Sequence, residues 1–311
     1  MLLLLTMLAC APKYSDLPPM AVSDLKTPLP AKHVQVDGID VAYVDSGGDG
    51  RPLLFVHGLS SWMGFWEYQI PHFAAEHDRV LALDLPGYGA SGRPDAPCTP
   101  PWYADFLADF LDAVHVSHAT VIGHSMGGQI AMTLALDHPE RVDALALAAP
   151  AGFEKLAPGA ASWMKSYWTE DRALHTTEQE VRATMTQAVF NHHDAGVERL
   201  IEERVRIAST PAFRGTSVAV SRSIAGMLDY PVRDRLGDIH VPTLIVFGTH
   251  DHMIPNPVFD GGRTAAVAAW GRDHIPGAEL VMIDGAGHTV HHDAPEAFND
   301  AVDAFLGRLV R

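Results

Sequence analysis

Residues 120–128 read TVIGHSMGG, and this stretch decides the fold. Ser125 stands between Gly123 and Gly127, directly after a short apolar run and directly before a helical pattern over residues 129–136. A sharp turn from a buried strand into a helix would lift the Ser125 hydroxyl out of the sheet. A side chain at either glycine would crowd that turn. G-x-S-x-G alone recurs by chance, and an ordinary strand-to-helix turn with an incidental serine has the same letters. The apolar strand before the motif and the helical period after it favour a nucleophile.

The flanking sequence repeats the theme. PLLFVHG (52–58), RVLALDLPG (79–87), ALALAAP (144–150), TLIVFGTHD (243–251) and ELVMIDGAGH (279–288) are further continuous apolar runs. Such runs suit strands buried on both faces. Helical stretches at 102–114, 129–137, 265–270 and 296–309 alternate with them. Before them, the segment from His33 alternates apolar and polar residues around Asp37-Gly38, which reads as a hairpin. The expected fold is α/β: a mostly parallel sheet flanked by helices and opened by an antiparallel hairpin.

Residues 152–235 break the alternation. They carry helical periods at 178–190, 197–207 and 217–228 and no convincing buried strand. They are expected to form a helical cap over the carboxyl ends of the strands, inserted into a core of residues 32–151 and 236–311. Trp163, Met164, Trp168, Phe190, Phe213 and Met227 are the candidate pocket lining, although packing of the cap onto the core would account for each of them equally well.

The first ten residues, MLLLLTMLAC, are too few to span a bilayer. They read as the apolar core of a secretory signal and resemble a bacterial lipoprotein leader, in which Cys10 would be lipidated. The chain departs from that pattern in having no Lys or Arg before the apolar run and a bulky Leu8. Residues 11–31, rich in Pro, Ser and Asp, are expected to be a tether. The expected location is the bacterial cell envelope, with membrane attachment through Cys10; without such processing it is the cytoplasm. The other cysteine is Cys98. It is left unpaired if Cys10 carries lipid, and a Cys10–Cys98 bridge is open if Cys10 does not.

Twenty-two basic against 38 acidic residues give a net charge of −16, which excludes nucleic acid as a partner because phosphates would be repelled. The expected partner is a small-molecule ester or lipid substrate.

A serine hydroxyl needs a base, and that base needs an orienting group. Asp251 follows the run TLIVFG and His288 follows ELVMID, which sets the chain order Ser125, Asp251, His288. A Ser-His-Asp triad on this topology requires that order, with all three residues at carboxyl ends of strands. Acyl transfer also needs two N–H groups aimed at the developing oxyanion. The candidates are Met126, opening the helix after Ser125, and Leu59, in the loop after PLLFVHG. His57 reads as structural, Asp84 as a turn brace, and His124 as packing away from the hydroxyl. The histidines around Asp251 and His288 lack the spacing of a known metal site, so no metal and no cofactor is expected.

HGLSSWMGFW (57–66), DLPGYGASGRP (84–94), GHSMGG (123–128), GTHDHMIP (248–255) and GAGH (285–288) followed by APEAFNDAVDAFL (294–306) resemble the serine-dependent α/β-hydrolase superfamily and its lipase/esterase branch. The resemblance runs over about 32–310, with 152–235 matching only as a cap. It implies Ser125 as nucleophile, His288 as base, Asp251 as acid, and Met126 and Leu59 as the oxyanion hole. Relatives that use an aspartate nucleophile are disfavoured by Ser125. Two rivals remain at this stage. One is carbon–carbon bond hydrolysis of ring-fission products by the same triad, with perhydrolysis as a lesser variant. The other is a non-catalytic, membrane-tethered binding protein.

Overall fold

A computed structural model describes residues 13–76, 78–157, 159–256 and 262–309; the leader with Cys10 lies outside them. Among the described residues one sheet runs in the order β1-β2-β4-β3-β5-β6-β7-β8. β1 (Lys32–Val36) and β2 (Ile39–Asp45) form the expected hairpin. Asp37 and Gly38 both have positive φ (50° and 76°), as a two-residue turn matched to strand twist requires. β2 pairs antiparallel with β4 (Arg79–Leu83). From β4 the sheet is parallel through β3 (Pro52–Val56), β5 (Ala119–His124), β6 (Val142–Ala148), β7 (Thr243–Gly248) and β8 (Glu279–Ile283).

Helices α1 (Gln69–Ala75), α2 (Pro100–Ala113) and α3 (Met126–Asp137) follow the early strands. The insertion is built from α4 (Ala160–Tyr167), α5 (Glu170–Leu174), α6 (Glu178–Thr184), α7 (Ala195–Ala208) and α8 (Phe213–Asp229). α9 (Thr264–His274), α10 (Val290–Asp293) and α11 (Pro295–Arg308) close the chain.

The strand runs are apolar throughout because both faces are covered, and successive side chains divide between two cores. Leu54, Val56, Val121, Leu145, Ile245 and Phe247 pack with α2, α3 and α9. Leu53, Phe55, Ile122, Ala146, Leu244 and Val246 face the other way, onto Ile70 and Phe73 of α1 and Phe298, Val302 and Phe305 of α11.

The cap is helical, as its periods suggested, and has its own core of Val181, Leu200, Ile201 and neighbours. The period at 178–190 is one helix in the sequence; in the structure α6 ends at Thr184 and a π-helical turn, Met185–Val189, continues it. The short helices α4 and α5 had no usable period, because Trp163 and Tyr167 of α4 face solvent.

The tether is the clearest correction to the sequence reading. From Lys13 onward this segment is strapped across the cap. Tyr14 and Leu25 are buried in the cap core. The Glu178 carboxylate accepts the N–H groups of Tyr14 (2.9 Å) and Ser15 (2.8 Å), and the Tyr14 hydroxyl donates to Glu198 (2.7 Å). Proline-rich composition masked Tyr14, whose hydrogen-bond partners lie 164 and 184 residues away, and Leu25, which is buried in the same core. Cys98 is a buried free thiol.

Candidate active site

Ser125 has φ 53° and ψ −117°, a conformation that L residues seldom hold without support. The support is backbone bonding. Its N–H donates to Ala148 of β6 (3.0 Å), and its carbonyl accepts from Gly128 (2.9 Å), Gln129 (3.2 Å) and Ala151 (3.0 Å). The glycines around it act as expected, but for two different reasons. A Cβ on Gly123 would lie 2.4 Å from the Gly127 carbonyl oxygen, within the turn itself. A Cβ on Gly127 would lie 2.3 Å from the Val56 carbonyl oxygen, so that glycine lets the helix pass close to β3.

Asp251 and His288 leave the ends of β7 and β8, and their side chains meet. His288 Nδ1 stands 3.0 Å from Asp251 Oδ2, with both side chains buried. The other carboxylate oxygen accepts the N–H groups of Met253 (2.7 Å) and Ile254 (2.9 Å). With every Asp251 oxygen engaged, the carboxylate is fixed and Nδ1 is the donating nitrogen. Nε2 of His288 is left as the basic atom.

Met126 opens α3, so its N–H has no partner within the helix. Leu59 follows Gly58, and a Cβ on Gly58 would come within 3.3 Å of Ser125 Cβ. The two candidate oxyanion donors therefore come from segments that meet at Ser125.

His57 is structural: its Nε2 accepts the Leu85 N–H (3.0 Å), and its Nδ1 lies 2.8 Å from the Gly58 carbonyl. Burial pushes its pKa down to about 4, so it is neutral. Asp84 braces two loops, accepting the N–H groups of Met63 and Ala90 (2.7 Å each). Burial raises its pKa to about 6.

The candidate pocket residues separate. Trp163 is 48% exposed and stacks on Tyr167. Met164 is half-buried. Trp168 and Met227 are half-buried against the main core. Phe190 and Phe213 are buried in the cap core.

Two residues escaped the sequence reading. His124 reaches the His288 carbonyl oxygen with Nε2 at 3.2 Å, and its ring centre lies 4.9 Å from that of His288. Asp293 accepts the N–H groups of Gly287 (2.7 Å), Asn191 (2.8 Å) and His192 (3.0 Å), clasping the cap to the loop that carries His288. No local pattern announces either role.

Over residues 51–295 the chain matches the alpha/beta hydrolase fold family, and it belongs to that family. It is 32% identical over 278 residues to a putative carbamate hydrolase of Azorhizobium caulinodans, a match covering 86% of this chain and 95% of the relative. It is 30% identical to a dihydrolipoyllysine-residue acetyltransferase component of an acetoin cleaving system from Cupriavidus necator, covering 88% of this chain and 68% of that one. Among solved structures, a probable hydrolytic enzyme of Pseudomonas aeruginosa is similar with a TM-score of 0.84 and 25% identity, covering 93% of this chain and 98% of that one.

Proposed function

We propose that the protein is a serine hydrolase of carboxylic esters that works through an acyl-enzyme. The buried His288–Asp251 pair carries this reading, because it leaves one basic imidazole nitrogen at the strand ends that also present Ser125. Nε2 of His288 takes the Ser125 proton as Oγ attacks the ester carbonyl. The tetrahedral oxygen is met by the N–H groups of Met126 and Leu59. His288 returns the proton to the leaving alcohol, and water, activated by the same nitrogen, releases the acid. Asp251 holds the tautomer and stabilises the imidazolium.

A fluorophosphonate probe should label Ser125, and Ser125→Ala should abolish both labelling and hydrolysis of p-nitrophenyl esters while the fold persists. Wild-type-like hydrolysis by that variant would end the assignment. Failure to label the wild-type chain would favour the non-catalytic binding protein.

Carbamate cleavage is the second reading, favoured by the 32% identical relative that bears that name. The same acyl transfer serves it, and p-nitrophenyl carbamates run beside the esters separate the two. Export and lipid attachment at Cys10 rest on the leader sequence alone, and labelled palmitate that fails to enter Cys10→Ala tests them.

A further inference from the structure

Among the described residues, the large apolar side chains that face solvent are Leu17, Trp163, Tyr167 and Tyr230. Leu17 lies in the N-terminal strap and the other three in the cap; none lies in the sheet-bearing core. Single exposed apolar residues are ordinary, but scatter would have spread them over cap and core alike. Trp163 and Tyr167 stand one turn apart on α4, with ring centres 4.8 Å apart and planes inclined by 10°. The Arg172 guanidinium lies 5.4 Å from the centre of the Tyr167 ring, and its Nε donates to the Tyr167 hydroxyl (3.3 Å). Lys165 of the same helix pairs with Asp229 (2.6 Å), the residue before Tyr230, which brings the end of α8 beside α4.

The strap begins at the same edge of the cap. Glu178 of α6 holds the N–H groups of Tyr14 and Ser15, and two residues on, Glu180 pairs with Arg172, the residue that covers Tyr167. Before Lys13 come Cys10, Ala11 and Pro12, preceded by the apolar run MLLLLTMLA. A chain spans at most about 3.6 Å per residue, so Cys10 is within about 11 Å of Lys13. A free tether over residues 11–31 would reach on the order of 70 Å and leave the domain in any orientation. The strap shortens that reach to three residues and fixes the orientation. A leader or a lipid on Cys10 that enters a bilayer therefore brings this edge of the cap to the bilayer surface.

We propose that this edge, Trp163, Tyr167 and Tyr230 with Leu17 of the strap, docks on the surface of a lipid bilayer. Trp and Tyr join an apolar ring to a polar tip and settle at the boundary between hydrocarbon and headgroups. A net charge of −16 is repelled by anionic headgroups, so the partner is a bilayer of zwitterionic phospholipid. The assignment rests on the membrane reading of the apolar leader, and neither on lipid attachment at Cys10 nor on hydrolysis at Ser125.

The test uses the full chain carrying Cys10→Ala, so that no attached lipid masks the step, and vesicles of phosphatidylcholine. Partitioning onto the vesicles should weaken about tenfold in Trp163→Ser/Tyr167→Ser, with circular dichroism unchanged. Vesicles brominated on the acyl chains near the headgroup should quench the tryptophan emission of the parent chain. Trp163→Phe, which keeps a ring at the site, should lose most of that quenching, since Trp62 and Trp66 are buried. Unmoved partitioning, or quenching that ignores Trp163→Phe, overturns the proposal. A dimer in the absence of vesicles that the double variant disperses would assign the face to a second copy of this chain, and overturns it too. If the Cys10→Ala chain docks as expected but palmitate never enters the wild-type chain, the lipid-attachment reading fails and the docking face stands.

Discussion

His124 Nε2 lies 3.2 Å from the backbone carbonyl oxygen of His288, so the residue before Ser125 holds the loop that carries His288. Both sides of this contact are buried. Removing it with His124→Phe leaves the carbonyl unpaired and the His288 loop unsupported on that side. A kcat lower by roughly tenfold is expected, with KM little changed, because substrate binding does not use this bond. His124→Gln, which can still donate, should recover part of the loss. A change in KM alone would contradict this account.

Asp251→Asn should lower kcat by roughly 10⁴. Its amide oxygen would still serve the Met253 and Ile254 N–H groups, and its NH₂ would then face His288 Nδ1. Nδ1 must become an acceptor, which moves the proton to Nε2 and removes the base. Steady-state rates on a p-nitrophenyl ester measure this, with circular dichroism to confirm the fold.

Asp293→Ala leaves three N–H groups, those of Gly287, Asn191 and His192, without their acceptor. The expected cost is about 2–4 kcal/mol in urea unfolding. The cap and the His288 loop should also lose hydrogen-exchange protection together, since one carboxylate ties both.

Stability should fall between pH 7.5 and pH 5.5. Burial, with repulsion from neighbouring histidines as a further cause, holds His124 and His291 well below 6.5; burial holds His57 at about 4. In the unfolded chain these three bind protons as pH drops through about 6.5, and the native state does not. Their contribution is therefore complete above that value and lost as pH falls towards the folded pKa. Asp84 works in the opposite sense, because its folded pKa is raised to about 6 and the native state takes up that proton first. Burial also raises Glu154 and Glu203. Above pH 5.5 three histidines outweigh them, so Tm should drop; a flat or rising Tm over this window would contradict the balance.

The strands, the hairpin and the helical insertion were legible because each leaves a local mark, and the roles proposed for Ser125, Asp251 and His288 rest on such marks too. Apolar runs end in glycine, an Asp-Gly pair marks the hairpin turn, and Asp251 and His288 follow strands in the order that the proposed triad requires. What stayed hidden depends on segments far apart in the chain. The strap from Tyr14 to Leu25 looked like a tether because composition cannot reveal an acceptor at Glu178. Trp163 looked like pocket lining because an aromatic in a cap reads the same whether it faces inward or, as here, outward.

The sequence by itself determined the sheet, the strand-to-helix turn at Ser125 and the order of Ser125, Asp251 and His288 along it, since periodicity and turn chemistry are local properties of the backbone. Only the tertiary structure decided that His288 Nδ1 meets Asp251 and that His124 and Asp293 hold the His288 loop. Those facts depend on which surfaces come together and on which buried polar atoms find partners when they do.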